Sequence, residues 1–203
     1  MMICASSLEL DSLRRLCVLA TQNAAVAMCR WTATHIALTL EEVCEVPLEN
    51  LCAELQIGDE FLTMVVLASG GETGAEIILM FDETSAATLA ARFLPLKMDD
   101  PDQQRGLEDS VLCETGNILA CAYLNTLANL IGRDLLPASP VLIRDYGASV
   151  LEQAMMGQAA CSDQVLVCRT TFEQDGQRLK WQVLFVPTEA TRRQMEQAFD
   201  QAP

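Results

Sequence analysis

The sequence predicts an α+β fold written twice from one plan, with an antiparallel sheet and two long amphipathic helices. Three observations predict it. The order helix, strand, short helix, hairpin, helix occurs over about residues 8–95 and again over about 105–200. The strand-like runs alternate apolar with polar residues, a pattern that needs helices on one face only and favours an antiparallel over a doubly wound sheet. Two stretches keep apolar residues at helical spacing, one in each half. Two independent domains split near residue 100 would each be small and would leave hairpin edges exposed. The expectation is therefore one domain over 1–203, its halves related by a pseudo-twofold axis.

In chain order, Leu13, Leu16, Ala20, Ala24, Ala27 and Trp31 repeat at helical spacing, and Asp11 or Ser12 is placed to cap that helix. A strand follows over Ala37 to Val46 and ends at Pro47, after which LENLCAEL reads as a short helix. EFLTMVVLA and AEIILMF flank Gly70-Gly71 as a hairpin, and Asp82 opens a helix through ETSAATLAARF. PLKMDDPDQQRG reads as the connector between the halves. The second half repeats the order: a long helix over Glu108 to Ile131, a strand after Pro140 and a short helix over Ala148 to Met156. A second hairpin, QVLVCRTTFE and RLKWQVLFV, turns at Asp175-Gly176, and a last helix, TEATRRQMEQAF, has Pro187 near its start.

Composition removes several classes of function. The formal net charge of −15 opposes binding to a phosphate backbone, so nucleic acid is not an expected partner. No apolar run is long enough to cross a bilayer, and the opening MMICASSLELDSLRR lacks the pattern of a secretory leader, so a cytoplasmic protein without membrane insertion is expected. Nine cysteines without a CxxC pair read as small buried residues in a reducing compartment, Cys17, Cys29, Cys44, Cys113, Cys121 and Cys168 among them. With one histidine, His35, read as a strand-edge residue, neither a zinc site nor a histidine-based nucleophilic engine is expected. GGETG reads as a turn rather than a phosphate cradle.

The chemistry lies on the second long helix. At about 100° per residue, Ser110, Glu114 and Asn117 stack along one stripe, while Val111, Leu112, Thr115, Ile118, Leu119, Ala122, Tyr123 and Thr126 crowd the other side. Glutamate can grip a cation on a partner, and asparagine one turn later offers a donor and an acceptor to a water molecule. Spacing alone also fits an ordinary wetted face. Cys121 continues the stripe by one turn and reads as a neutral thiol bordering it.

The segment SVLCETGNILACAYLNTLANLIGRDLLPASPVLIRDYGASVL resembles the active-site segment of the CheC-type chemotaxis phosphatases (the CheC, CheX and FliY group). That family's signature is Asp or Ser, three residues, Glu, two residues, Asn, 22 residues and Pro, and Ser110, Glu114, Asn117 and Pro140 fill it with the spacing kept. The surrounding GNILA, YLN and LLPASP resemble the family too, and in weaker form the likeness extends over nearly the whole chain. The resemblance implies a phosphatase that hydrolyses the aspartyl phosphate on a CheY-like response regulator. Glu114 would engage the regulator's lysine and Asn117 would orient the attacking water. The chain would need no cofactor of its own, Mg²⁺ being supplied by the regulator. Ser110 would support the site or touch the regulator, and Pro140 would fix the entry of the following strand.

Members of the family commonly carry a second Glu/Asn pair on the first long helix. Here Arg15 and Val18 fall at those positions, so one competent site per chain is expected. Asp145 falls at the acidic position that the family associates with binding the deamidase CheD, and an ordinary capping aspartate fits DYGAS equally. The competing reading is a non-catalytic adaptor that binds CheD or a response regulator. A flagellar-switch component of the FliY or FliM type shares the fold, but the chain ends soon after the second unit, without room for a further switch-binding domain. A CheX-like protein has one site per chain, yet two full-length units fit the longer CheC plan better.

Overall fold

Ser7–Thr32 forms the first long helix, α1, whose buried side is Leu13, Leu16, Cys17, Ala20, Thr21, Ala24 and Met28. The description rests on a computed structural model and covers residues 7–69, 74–94, 100–159, 163–174 and 177–200. β1 (Ile36–Pro47) follows, then a 3-10 turn at Leu48–Asn50 and α2 (Leu51–Glu54). β2 (Phe61–Ser69), β3 (Ala75–Phe81) and α3 (Glu83–Ala90) complete the first half. Asp82 caps α3 as expected, its Oδ1 accepting from the Ser85 backbone N–H at 2.7 Å. The second half is α4 (Pro101–Ile131), β4 (Val141–Tyr146), α5 (Gly147–Ala159), β5 (Gln164–Gln174), β6 (Gln177–Pro187) and α6 (Glu189–Asp200).

The fold is α+β. All six strands join one sheet of order β1-β5-β6-β3-β2-β4, and every pairing is antiparallel. Replacing β1, β2, β3 by β4, β5, β6, and the reverse, returns the same order read backwards, as a twofold axis between β3 and β6 requires. The halves interleave. β1 pairs with β5 of the other half from Ile36↔Gln174 to Pro47↔Gln164, and β4 pairs with β2 from Phe61↔Tyr146 to Val66↔Val141.

Helices cover both faces of the sheet, not the single face that alternation suggested. On β3, Ala75, Ile77, Leu79 and Phe81 enter a core with α1, α3, α4 and α6, whereas Ile78 and Met80 enter a second core with α2 and α5. The physical reason is legible in IILMF: a strand apolar at successive positions buries both sides, and an antiparallel pairing does not prevent it.

Several boundaries move. α4 begins at Pro101, well before Glu108, because Asp100 accepts from the backbone N–H of Asp102 at 3.0 Å and proline suits the first helical position. Half of the expected connector is therefore helix; residues 95–99 of it lie outside the described residues. α1 is already helical at Ser7, so Asp11 and Ser12 sit inside it rather than cap it. α3 closes at Ala90, short of Phe93. Pro187 is the last residue of β6, and Thr188 precedes α6 with its Oγ1 accepting from the Thr191 backbone N–H at 3.3 Å. Both hairpin turns, Gly70-Gly71 and Asp175-Gly176, fall outside the described residues. Cys17 and Cys168 are buried as expected, but Cys29, Cys44, Cys113 and Cys121 are only partly so, because they sit toward the flanks of their elements.

Candidate functional site

α4 lies on the sheet by its small residues. A Cβ placed on Gly116 would stand 2.6 Å from Val65 Cγ1 and 3.4 Å from Leu67 Cδ1, so the helix backbone runs close over β2 at that point. Leu112, Thr115, Gly116, Leu119, Ala120, Tyr123, Leu124 and Leu127 form its buried side. Relative to the expected stripe, the buried face is rotated toward Gly116, Ala120 and Leu124; Val111, Ile118, Ala122 and Thr126 lie half-buried on its margins. α1 holds the other flank, where Trp31 Nε1–H donates to Thr115 Oγ1 at 3.0 Å and Asn23 Nδ2–H donates to Thr126 Oγ1 at 3.1 Å.

Ser110, Glu114 and Asn117 point away from that packed side. Ser110 and Glu114 are exposed and Asn117 is half-buried. Ser110 Oγ–H donates back to Gly106 O at 2.8 Å, a local bond that occupies the hydroxyl proton. Asn117 Oδ1 accepts from Cys121 Sγ–H at 3.5 Å, which leaves the amide N–H groups to face outward. Burial, then the Glu114 charge, pushes the Cys121 thiol up, so it is neutral near pH 7. The Cys113 thiol is also raised, by burial and then by Asp109, with Arg144 opposing.

The remaining expected residues are spread. Pro140 stands immediately before β4. Asp145 lies on β4 opposite Leu62, which belongs to the α2/α5 core, whereas Arg144 faces α4, where it pairs with Asp109. Strand alternation thus puts Asp145 on the other side of the sheet from Glu114 and Asn117. Its Oδ1 accepts from the Tyr146 backbone N–H at 2.7 Å, just ahead of α5. His35 is exposed, one residue before β1. Among the described residues, no group of three or more His, Cys, Asp or Glu is placed to hold a metal ion, and no helix is long and apolar enough to cross a membrane.

The first helix repeats the burial of the second in register. Leu13, Leu16, Cys17, Ala20, Thr21, Ala24 and Met28 stand at one constant offset from Leu112, Thr115, Gly116, Leu119, Ala120, Tyr123 and Leu127. The same offset pairs Ala33 (φ 52°) with Gly132 (φ 66°), the left-handed residues that follow the two helices. It places Asp11 at Ser110, Arg15 at Glu114 and Val18 at Asn117, with matching exposure at all three. Asp11 as the counterpart of Ser110 escaped the sequence reading, although the signature's first slot accepts either residue. Trp31, Asp109 and Arg144 were missed for another reason: the bonds Trp31–Thr115 and Arg144–Asp109 join the site helix to elements distant in sequence.

No protein-family model matches the chain. CheC1 of Halobacterium salinarum, a protein inferred to be a CheY-P phosphatase, is 23% identical over 123 residues, 61% of this chain and 62% of that protein; the match therefore spans less than two thirds of the relative's length. Thermotoga maritima FliY has a TM-score of 0.72 at 16% identity, covering 98% of this chain and 99% of that one. A chain of the FliM-SpeE complex from H. pylori has a TM-score of 0.67 at 10% identity, covering 98% and 100%. A chain of the CheX-CheY-BeF3-Mg complex from Borrelia burgdorferi has a TM-score of 0.51 at 15% identity, covering 85% and 98%. With a duplicated element order, one antiparallel sheet and two long helices side by side, this chain has the CheC/CheX/FliY-type chemotaxis phosphatase fold.

Proposed function

We propose that the chain is a phosphatase for the aspartyl phosphate of a CheY-like response regulator. The observation that carries this reading is the placement of Glu114 and Asn117: an exposed carboxylate and a half-buried carboxamide on successive turns, facing outward from a helix anchored on the sheet and on α1. Similarity to CheC1 and to a chain of the CheX-CheY complex supports a role directed at a CheY-like protein.

Glu114 pairs with the regulator's lysine and so fixes the depth and direction of docking. Asn117 then reaches the phosphoryl group and holds a water in line with phosphorus by donating from its amide nitrogen and accepting at the free lone pair of Oδ1. Water oxygen attacks, the bond from phosphorus to the aspartyl oxygen breaks, the aspartate leaves as carboxylate, and of the two water protons one ends on the phosphate and the other on the phosphate or in solvent. Phosphoryl transfer needs placement and charge balance more than covalent help, so two positioned side chains suffice as this chain's contribution. The regulator's own Mg²⁺, when bound, neutralises charge on the phosphoryl oxygens.

Phosphate release from a phosphorylated CheY-like protein tests this directly. Asn117→Ala should slow release on the order of 10²-fold, the size of losing one preorganised polar group at the reacting centre. Glu114→Ala should weaken complex formation as well as turnover. Equal release by wild-type and Asn117→Ala protein would sink the proposal.

The second reading is an adaptor that binds CheD or a regulator without turnover. Arg15 and Val18 in the first half, and the fold shared with FliM, favour it. It is separated from the first by binding without phosphate release; for CheD, binding that Asp145→Lys abolishes would support an adaptor role, alone or beside catalysis.

A further inference from the structure

The first third of the site helix is held in an unusual way. From Pro101 to Val111, α4 has no buried residue; its first is Leu112. Between this stretch and α3 lies a cleft of about 390 Å³, lined by Glu83 and Ala87 on one side and by Gln104, Arg105 and Glu108 on the other. Gln104 Nε2–H donates to Glu108 Oε1 at 3.0 Å and Ser110 to Gly106 O, both bonds within the helix itself. Among the described residues, the side-chain bond that ties the stretch to another element comes from β4, where the Arg144 guanidinium donates to Asp109 Oδ1. Both groups are partly shielded, and Asp109 immediately precedes Ser110.

We infer that Arg144 is a positioning residue for Glu114 and Asn117, acting through Asp109 to fix the rotation of α4 where its overhanging stretch meets its packed one. The inference rests on the phosphatase reading above. The packed side of α4 begins at Leu112 and holds the helix from there onward; a bond at Asp109, on the side facing β4, holds the turn before it and so the approach to Glu114. Because Glu114 and Asn117 lie five and eight residues beyond Asp109 on the same helix, a change in rotation there is passed to both side chains. An aligned water tolerates little displacement, since about 1 Å of misplacement costs on the order of 10²-fold in rate. The Asp109 partner is also the main cause of the raised Arg144 pKa, so the guanidinium stays charged throughout the working range.

The test combines steady-state phosphate release from a phosphorylated CheY-like regulator with amide hydrogen exchange on the protein alone. The variants are Arg144→Ala, the charge swap Asp109→Arg/Arg144→Asp, and Asn117→Ala as reference. Arg144→Ala should lower kcat about tenfold with KM within about twofold, and should speed exchange over residues 105–113 while leaving 119–127 unchanged. The swap should restore both quantities, which a merely structural loss would not. An unchanged kcat in Arg144→Ala beside a crippled Asn117→Ala overturns the inference and leaves the phosphatase reading intact. If wild-type and Asn117→Ala protein release phosphate equally, the phosphatase reading fails; exchange then decides the latch, upheld by a rise that the swap reverses and overturned by no rise.

Discussion

Trp31 Nε1–H donates to Thr115 Oγ1 at 3.0 Å, so the last turn of α1 grips the site helix one residue from Glu114. The indole also stacks on Phe93, ring centroids 4.6 Å apart, which ties the end of the first half to the helix that carries the chemistry. Thr115 is fully buried, and its own hydroxyl proton goes to Val111 O at 2.8 Å, so Oγ1 is both donor and acceptor. Trp31→Phe keeps a stacked ring and removes one bond. It should cost about 1 kcal/mol, seen as a fall of roughly 2–4 °C in the melting temperature of a chain this size. A loss no larger than that of a surface substitution would show that the bond holds nothing.

The close approach of α4 to β2 predicts a second effect. Gly116→Ala would gain about 1 kcal/mol of helix propensity, but its methyl group would lie 2.6 Å from Val65 Cγ1 and 3.2 Å from Val65 Cβ. Valine is stiff at χ1 and cannot swing aside, so overpacking of about 1–3 kcal/mol wins and the variant is destabilised. Val65→Ala in the same chain should relieve the clash. Denaturant titrations of the single and double variants should therefore give a double variant more stable than the sum of the two losses. Simple additivity would contradict the clash.

Glu76 on β3 predicts a pH effect on stability. Burial pushes its carboxyl up to about 7 from an ordinary value of 4.5, and its Oε2 has no hydrogen-bond partner among the described residues. The native state therefore keeps a proton that the unfolded chain gives up, so this group's contribution to stability is complete below pH 4.5 and is lost as pH rises through 7. The side chain is only partly shielded, which limits the effect to on the order of 1 kcal/mol. Glu76→Gln should flatten the change in urea midpoint between pH 5 and pH 8 and be the more stable protein at pH 8. A wild-type midpoint that does not fall over that range would remove the effect.

Much of this architecture is written in local signals. Asp82 before ETSAATLA, Pro47 at the end of β1 and the β-branched, apolar run VLVC in β5 each specify an element by neighbours a few positions away. DDPDQQRG misled because the same Asp-Pro pair that breaks a helix also starts one; the missing information was the Asp100 side chain meeting the backbone of the next turn. IILMF announced a strand buried on both faces, and the weight given to alternation elsewhere hid it. At the site, the stripe of Ser110, Glu114 and Asn117 follows from helical period alone. Its supports do not, since Asp109–Arg144 and Trp31–Thr115 span 35 and 84 positions and leave no periodic trace. Long-range contacts of that kind are set by sheet order, which places β4 beside β2 and so beside α4.

The register between α1 and α4 allows the proposed function to be tested by construction. Arg15 has the exposure of Glu114, and Val18 is half-buried like Asn117, at the same offset that pairs Ala33 with Gly132. Arginine reverses the charge meant to meet a regulator's lysine, and valine offers water no hydrogen bond, so Arg15→Ala or Val18→Ala alone should leave phosphate release unchanged. Arg15→Glu/Val18→Asn should instead install a second pair on α1. Asp11 already occupies the counterpart of Ser110, Arg15 is exposed, and Val18 packs half-buried against the margin of the core, so the new asparagine reaches water at some cost in stability. Placed in the Asn117→Ala background, the double substitution should recover phosphate release above that background, and in the wild-type background it should raise the rate per chain by up to about twofold, as two equivalent sites require. Failure to recover any release, in a variant that folds and still binds the regulator, would mean that an acid and an amide at this spacing are not sufficient and that supports particular to α4, Arg144 with Asp109 foremost, belong to the minimal site.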